Sequence, residues 1–137
     1  MKSFLHSDIT EKIIGAYYRV YNNLGFGFLE KVYENAMVIE LRREGLFIKV
    51  QQAIKVFYEG EEIGFYVADI VVNDSVIIEI KAAESLCEEH EAQLLNYLKA
   101  TEIEVGILLN FGKKAELKRK VFSSEYKPET IKNHDES

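Results

Sequence analysis

The sequence has one cysteine, one proline and no tryptophan, and it lacks any long apolar run. Cys87 alone cannot close an intrachain disulfide, and no Cys/His spacing matches a zinc site. This usage fits a reducing compartment. No stretch approaches the roughly 20 apolar residues that span a bilayer. The N-terminus also lacks the basic segment, apolar core and small-residue cleavage pattern of a secretory signal, so a cytoplasmic chain without membrane contact is expected. Basic residues are in deficit: 17 Lys and Arg stand against 23 Asp and Glu, a formal net charge of -6. A broad cationic surface that holds nucleic acid non-specifically is thereby disfavoured, although a local patch or a bound cation can still neutralise phosphates.

What is present is ordinary globular material. The 137 residues are 47% hydrophobic and 29% charged, enough for one core and short for two. A single domain over residues 1–126 is expected, with the polar run 127–137 as a disordered tail. From Asp8 to Leu24, Ile9, Ile13, Ala16, Tyr17 and Val20 recur at helical spacing, with Ser7 or Asp8 as cap. Gly25-Phe26-Gly27 breaks the pattern, and a second helix runs from near Phe28 to Gly45. The two glycines form no phosphate-binding loop and are assigned to the junction and to close packing.

Strand-like runs follow at 47–50, 53–58, 63–72 and 76–81, separated by short turns that suggest an antiparallel meander. A helix from about Leu86 to Lys99 then leads to a buried strand at 104–110. Such a helical crossover makes that strand a candidate parallel neighbour of the one ending at Lys81. Residues 115–122 read as an edge strand.

Chemistry concentrates around Asp69, Glu79 and Lys81. Residues two apart on a strand share a face, so Ile77, Glu79 and Lys81 project together, opposite Val76, Ile78 and Ile80. An ionised Glu79 on a strand that is apolar on both faces needs a partner, hydrogen bonds or a cation. If Asn73-Asp74-Ser75 form a three-residue loop, Val72 pairs with Val76 and Asp69 falls opposite Glu79. A two-residue loop shifts the register by one and turns Asp69 away. Two adjacent carboxylates repel, which a divalent cation relieves; oxygen donors suit Mg²⁺ or Mn²⁺, and Lys81 would then face a phosphoryl group. The plain alternative is a salt bridge of Lys81 with Glu79 or Asp69.

Together with these residues, Gly27-Phe28-Leu29-Glu30-Lys31-Val32-Tyr33, Ala68-Asp69-Ile70, Glu79-Ile80-Lys81-Ala82, the stretch His90 to Lys99 and the stretch Val105 to Gly112 make the chain resemble the GxxExxY family of the PD-(D/E)XK nuclease superfamily. The likeness covers most of residues 8–122. It implies an α/β fold with a restriction-endonuclease-like core, a mixed sheet flanked by helices in αβββαβ order. It also implies Asp69 and Glu79 as metal ligands, Glu30 as a further acidic ligand and Lys81 as the catalytic lysine. Gln93 and Tyr97 match positions of supporting groups. Val67 stands where many relatives carry a basic residue.

His90, Gln93 and Tyr97 lie on one side of the third helix and form either a polar seam toward the carboxylates or a helix–sheet boundary. Tyr33 reads as a core aromatic with its hydroxyl bonded, and Cys87 as a small core residue. Lys113, Lys114, Lys118, Arg119 and Lys120 form the densest basic region, serving either phosphate or protection of the edge strand. The expected activity is divalent-metal-dependent hydrolysis of nucleic acid, DNA in the first place, with a homodimer as one way to address a duplex. The alternative is a catalytically silent adaptor of the same fold that binds nucleic acid or protein.

Overall fold

A computed structural model describes residues 5–127. Its elements run α1 (Ser7–Leu24), α2 (Glu30–Arg43), β1 (Ile48–Tyr58), β2 (Glu61–Val72), β3 (Val76–Lys81), α3 (Glu88–Lys99), β4 (Val105–Phe111) and β5 (Ala115–Val121), with a short 3-10 turn at Ser124–Tyr126. The five strands form one sheet in chain order. The β1–β2, β2–β3 and β4–β5 pairs are antiparallel, and β3 runs parallel to β4. The α2–β1–β2–β3–α3–β4 stretch is the expected αβββαβ order, preceded by α1 and extended by β5.

Helices cover both faces. Ile70, Val72, Ile78, Ile80, Ile107 and Leu109 pack with Ile13, Tyr17, Met37 and Leu41 of α1 and α2. Val71, Ile77 and Leu108 pack with Leu94, Tyr97 and Leu98 of α3. Since β4 is buried on both faces, its seven residues are apolar apart from Gly106 and Asn110. Gly106 has a steric role, because a Cβ there would stand 2.6 Å from the Leu94 side chain of α3. Tyrosine hydroxyls lace α1 to the far end of the sheet. Tyr17 donates to the Asn110 carbonyl and accepts from the Glu116 amide, and Tyr21 bonds the carbonyls of Gly112 and Lys113.

Several local expectations are corrected. The runs 47–50 and 53–58 are joined in one strand, β1, interrupted at Gln51, whose φ is +50°; the register is the same on either side of it and shifts only farther on, between Val56 and Phe57. Neither Ser7 nor Asp8 caps α1: His6, in left-handed conformation, is the N-cap, which places both inside the first turn. A Cβ at Gly25 or Gly27 meets nothing within 4 Å, so these glycines serve positive φ, +67° and +111°, and not close packing. Cys87 is exposed as the N-cap of α3. Lys127, the first residue of the expected tail, is buried, and its ammonium donates to the carbonyls of Thr101 and Ile103. The rest of the expected tail, 128–137, lies outside the described residues. Among the described residues, no helix is long and apolar enough to cross a membrane.

Candidate functional site

The β2–β3 turn decides which way Asp69 points. Asn73 and Asp74 both take φ near +51°, the Ser75 amide closes onto the Val72 carbonyl at 2.9 Å, and Val72 pairs with Val76. This is the register of the three-residue loop. The ladder continues only to Ile70 and Ile78, after which the strands part. In the opening, carboxylates replace carbonyls: the Asp69 amide donates to Glu79 Oε2 at 2.8 Å, and the Ile80 amide donates to Asp69 Oδ2 at 2.8 Å. Each acidic side chain thereby satisfies a backbone donor on the other's strand that the separation would leave without a partner.

This exchange occupies one oxygen of each carboxylate. Asp69 Oδ1 and Glu79 Oε1 accept no hydrogen bond among the described residues. Burial raises the Glu79 carboxyl to about 8, with repulsion from Asp69 next in size, against relief from the Asp69 amide and Lys81. Asp69 is raised too, first by burial, then by the charges of Glu34 and Glu30, against the Ile80 amide and Lys81. Both side chains in the wedge are therefore short of positive charge. Lys81 is half-buried and forms no ion pair with either acid among the described residues, so the salt-bridge alternative is not what the strand builds.

The other expected residues divide. Glu30 is the first residue of α2, exposed, and its charge is felt by both acids. It does not close on them: among the described residues, no group of three His, Cys, Asp or Glu side chains is placed to hold a metal ion. Tyr97 is buried beside the wedge, its hydroxyl pushed up to about 12 by burial and then by Glu79 and Asp69. Gln93 and His90 line a cleft with Tyr66 and Tyr97 on the α3 side. His90 also has a local task, since its Nδ1 accepts the Cys87 amide at 3.3 Å and caps α3. Tyr33 lies in the core, donating to the Gly25 carbonyl at 2.6 Å, accepting from the Phe28 amide at 3.2 Å and stacking on Phe111 at 4.2 Å. In the basic region, Lys118 and Lys120 are paired with Glu91, and Arg119 binds the Leu5 carbonyl. Lys113 and Lys114 alone stay exposed.

Two residues were missed. Glu34, 4% exposed, accepts Lys31 Nζ at 2.6 Å and Gln51 Nε2 at 2.7 Å, and it leads the charges that raise Asp69. Its place one turn after Glu30 on the same helix face was the available signal. Gln51 falls in the gap between the Val50–Ile70 and Gln52–Ala68 pairs of β1 and β2, the step that also leaves Asp69 unpaired, and its left-handed backbone is a local strain beside the wedge. The Gln51-Gln52 interruption of an apolar strand pattern was its only trace in the sequence. Asn110 is a third support: it holds Ala83 through both its carbonyl and its amide, at 2.9 and 3.0 Å, and so fixes the chain leaving Lys81.

Comparison with known proteins places this arrangement. A solved structure described as "Crystal structure of SSO0001" shares the fold with a TM-score of 0.56 at 19% identity, over 68% of this chain and 50% of that one. The present chain thus spans half the length of that protein. No curated protein matches the sequence. The family model for the PD-(D/E)XK nuclease superfamily matches residues 7–121. Because that match runs from the first turn of α1 to the end of β5 and takes in both strands of the wedge, the chain belongs to the PD-(D/E)XK nuclease superfamily.

Proposed function

We propose that this protein is a divalent-metal-dependent nuclease of the GxxExxY type that hydrolyses DNA phosphodiester bonds. The observation that carries the reading is the pair of unspent carboxylate oxygens on Asp69 and Glu79 beside a Lys81 that is bound to neither. The donor set fits a hard cation: both acids are oxygen ligands that burial and neighbouring acidic charge hold above their ordinary pKa, a cost that a cation removes. Asp69 and Glu79 would hold Mg²⁺ or Mn²⁺, with Glu30 at the start of α2 as the further acidic ligand that the family resemblance implies. Such an ion supplies Lewis-acid charge at a phosphodiester and lowers the pKa of water.

The chain's own groups do the rest. The Lys81 ammonium places positive charge at the phosphoryl oxygens. Tyr97, held neutral, offers a hydroxyl donor from the other side, with Gln93 and His90 bordering the approach. Gln51 and Glu34 support the Asp69 side of the wedge. The reading is of a cytoplasmic protein without membrane contact, for which pairing of two copies is one way to address both strands of a duplex.

The test is cleavage of linear, nicked, flapped and branched DNA in Mg²⁺ and Mn²⁺, with Asp69→Ala and Glu79→Ala as controls and calorimetry of metal binding. Cation-dependent cutting that both substitutions abolish is expected. No cutting on any substrate together with no metal binding would sink the reading. Saturable nucleic-acid or protein binding that survives both substitutions would identify an adaptor instead.

A further inference from the structure

A cavity of about 410 Å³ opens at the C-terminal ends of the parallel strands β3 and β4 and is lined by residues 26–30, 82–84 and 111–113. It adjoins the wedge directly, since Glu30 is on its rim and Ala82 follows Lys81. One wall carries apolar side chains facing water: Phe26 is 55% exposed, Phe28 46% and Leu29 80%. Large apolar groups clustered at the mouth of a polar site call for an occupant.

Both walls are fixed in place. The Tyr33 hydroxyl binds the Gly25 carbonyl and the Phe28 amide from beneath, Gly25 and Gly27 take positive φ, and the half-exposed Phe28 ring sits edge-on to Tyr33 at 6.0 Å. Across the cavity, Tyr21 holds the carbonyls of Gly112 and Lys113, and Asn110 holds Ala83. Phe111, stacked on Tyr33, joins the two walls at the base. The rim adds the exposed Lys113, which makes no ion pair among the described residues. An aromatic wall, a cation at the rim and a volume near the lower end of small-molecule pockets, roughly 300–1,000 Å³, suit a single nucleotide and are too small for a duplex.

We propose that this cavity binds one unpaired nucleobase next to the phosphate held at Asp69, Glu79 and Lys81, with Phe26 and Phe28 as the stacking wall and Lys113 at a flanking phosphate. The preferred substrate is then nucleic acid with a single-stranded, flapped or flipped-out nucleotide at the cut, because a base inside a duplex has no free π face to offer. The inference rests on the nuclease reading of the adjoining site for what happens after binding, but the binding is separable from cleavage.

The test uses a duplex with a short single-stranded overhang carrying 2-aminopurine, whose fluorescence is quenched on stacking. Wild-type protein, Phe26→Ala and Phe26→Trp are mixed with it in Mg²⁺ by stopped flow, so that stacking is read before product accumulates, and cleavage is followed in the same mixture. A blunt duplex of equal length is the comparison. Phe26 is half-exposed and outside both core clusters, so its removal leaves the fold intact. Wild type should bind the overhang at least about tenfold more tightly than the blunt duplex and quench the probe. Phe26→Ala should weaken binding roughly 5- to 150-fold, and Phe26→Trp should restore it. Equal affinity for overhang and blunt duplex, or quenching that ignores Phe26, overturns the proposal even if the protein cuts DNA. Quenching that depends on Phe26 without cleavage in Mg²⁺ or Mn²⁺ upholds the subsite and overturns hydrolysis.

Discussion

At the residue scale, Lys81 separates chemistry from architecture. A lysine that balanced buried acids would be paired, and its removal would cost about 3–5 kcal/mol. Lys81 forms no such pair among the described residues and is half-buried. Lys81→Met should therefore change stability by less than about 1 kcal/mol and leave metal binding in place, while single-turnover cleavage drops by roughly 10²-fold. Chemical denaturation, metal titration and cleavage on one purified variant check all three, and unaltered cleavage would remove Lys81 from the mechanism. The site was partly legible in the residues themselves. The parity that joins Glu79 to Lys81 and the loop length that sets Asp69 against Glu79 follow from strand geometry alone. The reciprocal amide bonds, the buried Glu34 and the left-handed Gln51 were not legible, because each depends on where two strands part, and no local pattern encodes that.

At the scale of elements, the candidate site depends on the close approach of β4 to the chain that leaves β3. A Cβ on Gly112 would stand 2.4 Å from the Ala83 carbonyl oxygen, a backbone atom that Asn110 has no freedom to release. Gly112→Ala should destabilise the fold by about 1–3 kcal/mol, seen as a lower denaturation midpoint at unaltered slope, and reduce cleavage by displacing residues 81–84. Gly106→Ala is the comparison: its Cβ meets the buried Leu94 side chain of α3, so it disturbs the core on that face without pressing on the chain that leaves β3. A larger loss of cleavage at Gly106 than at Gly112, at equal loss of stability, would contradict this account. Element order, the antiparallel meander, the parallel crossover and the edge strand at 115–121 all followed from turn chemistry and apolar runs. The splitting of β1 into two runs failed because the Gln51-Gln52 interruption resembles a turn in sequence, whereas in three dimensions β2 carries the register across it.

At the scale of the whole molecule, the wedge ties folding stability to protons. The Glu79 carboxyl stands at about 8 in the fold against an ordinary 4.5. Between those values the folded chain holds a proton that the unfolded chain has released, so this contribution is present near pH 5 and is lost as pH rises through about 8. Without added cation, the denaturation midpoint should fall from about pH 5 to about pH 9, Glu79→Gln should flatten the fall, and Mg²⁺ should raise the midpoint more at the alkaline end. A wild-type midpoint that rises with pH over this range would contradict the raised carboxyl. The lacing of α1 to the distant end of the sheet has a different consequence, in the order of events during synthesis. Among the described residues, Tyr17 finds its hydroxyl partners at Asn110 and Glu116, and its ring packs on Phe111. During synthesis α2 can cover one side of α1 early, but the side of α1 that meets Phe111 stays uncovered until β4 has emerged, nearly a hundred residues after Tyr17. A ribosome-bound chain halted before β4 should accordingly leave α1 open to a chaperone, and one halted after β5 should not.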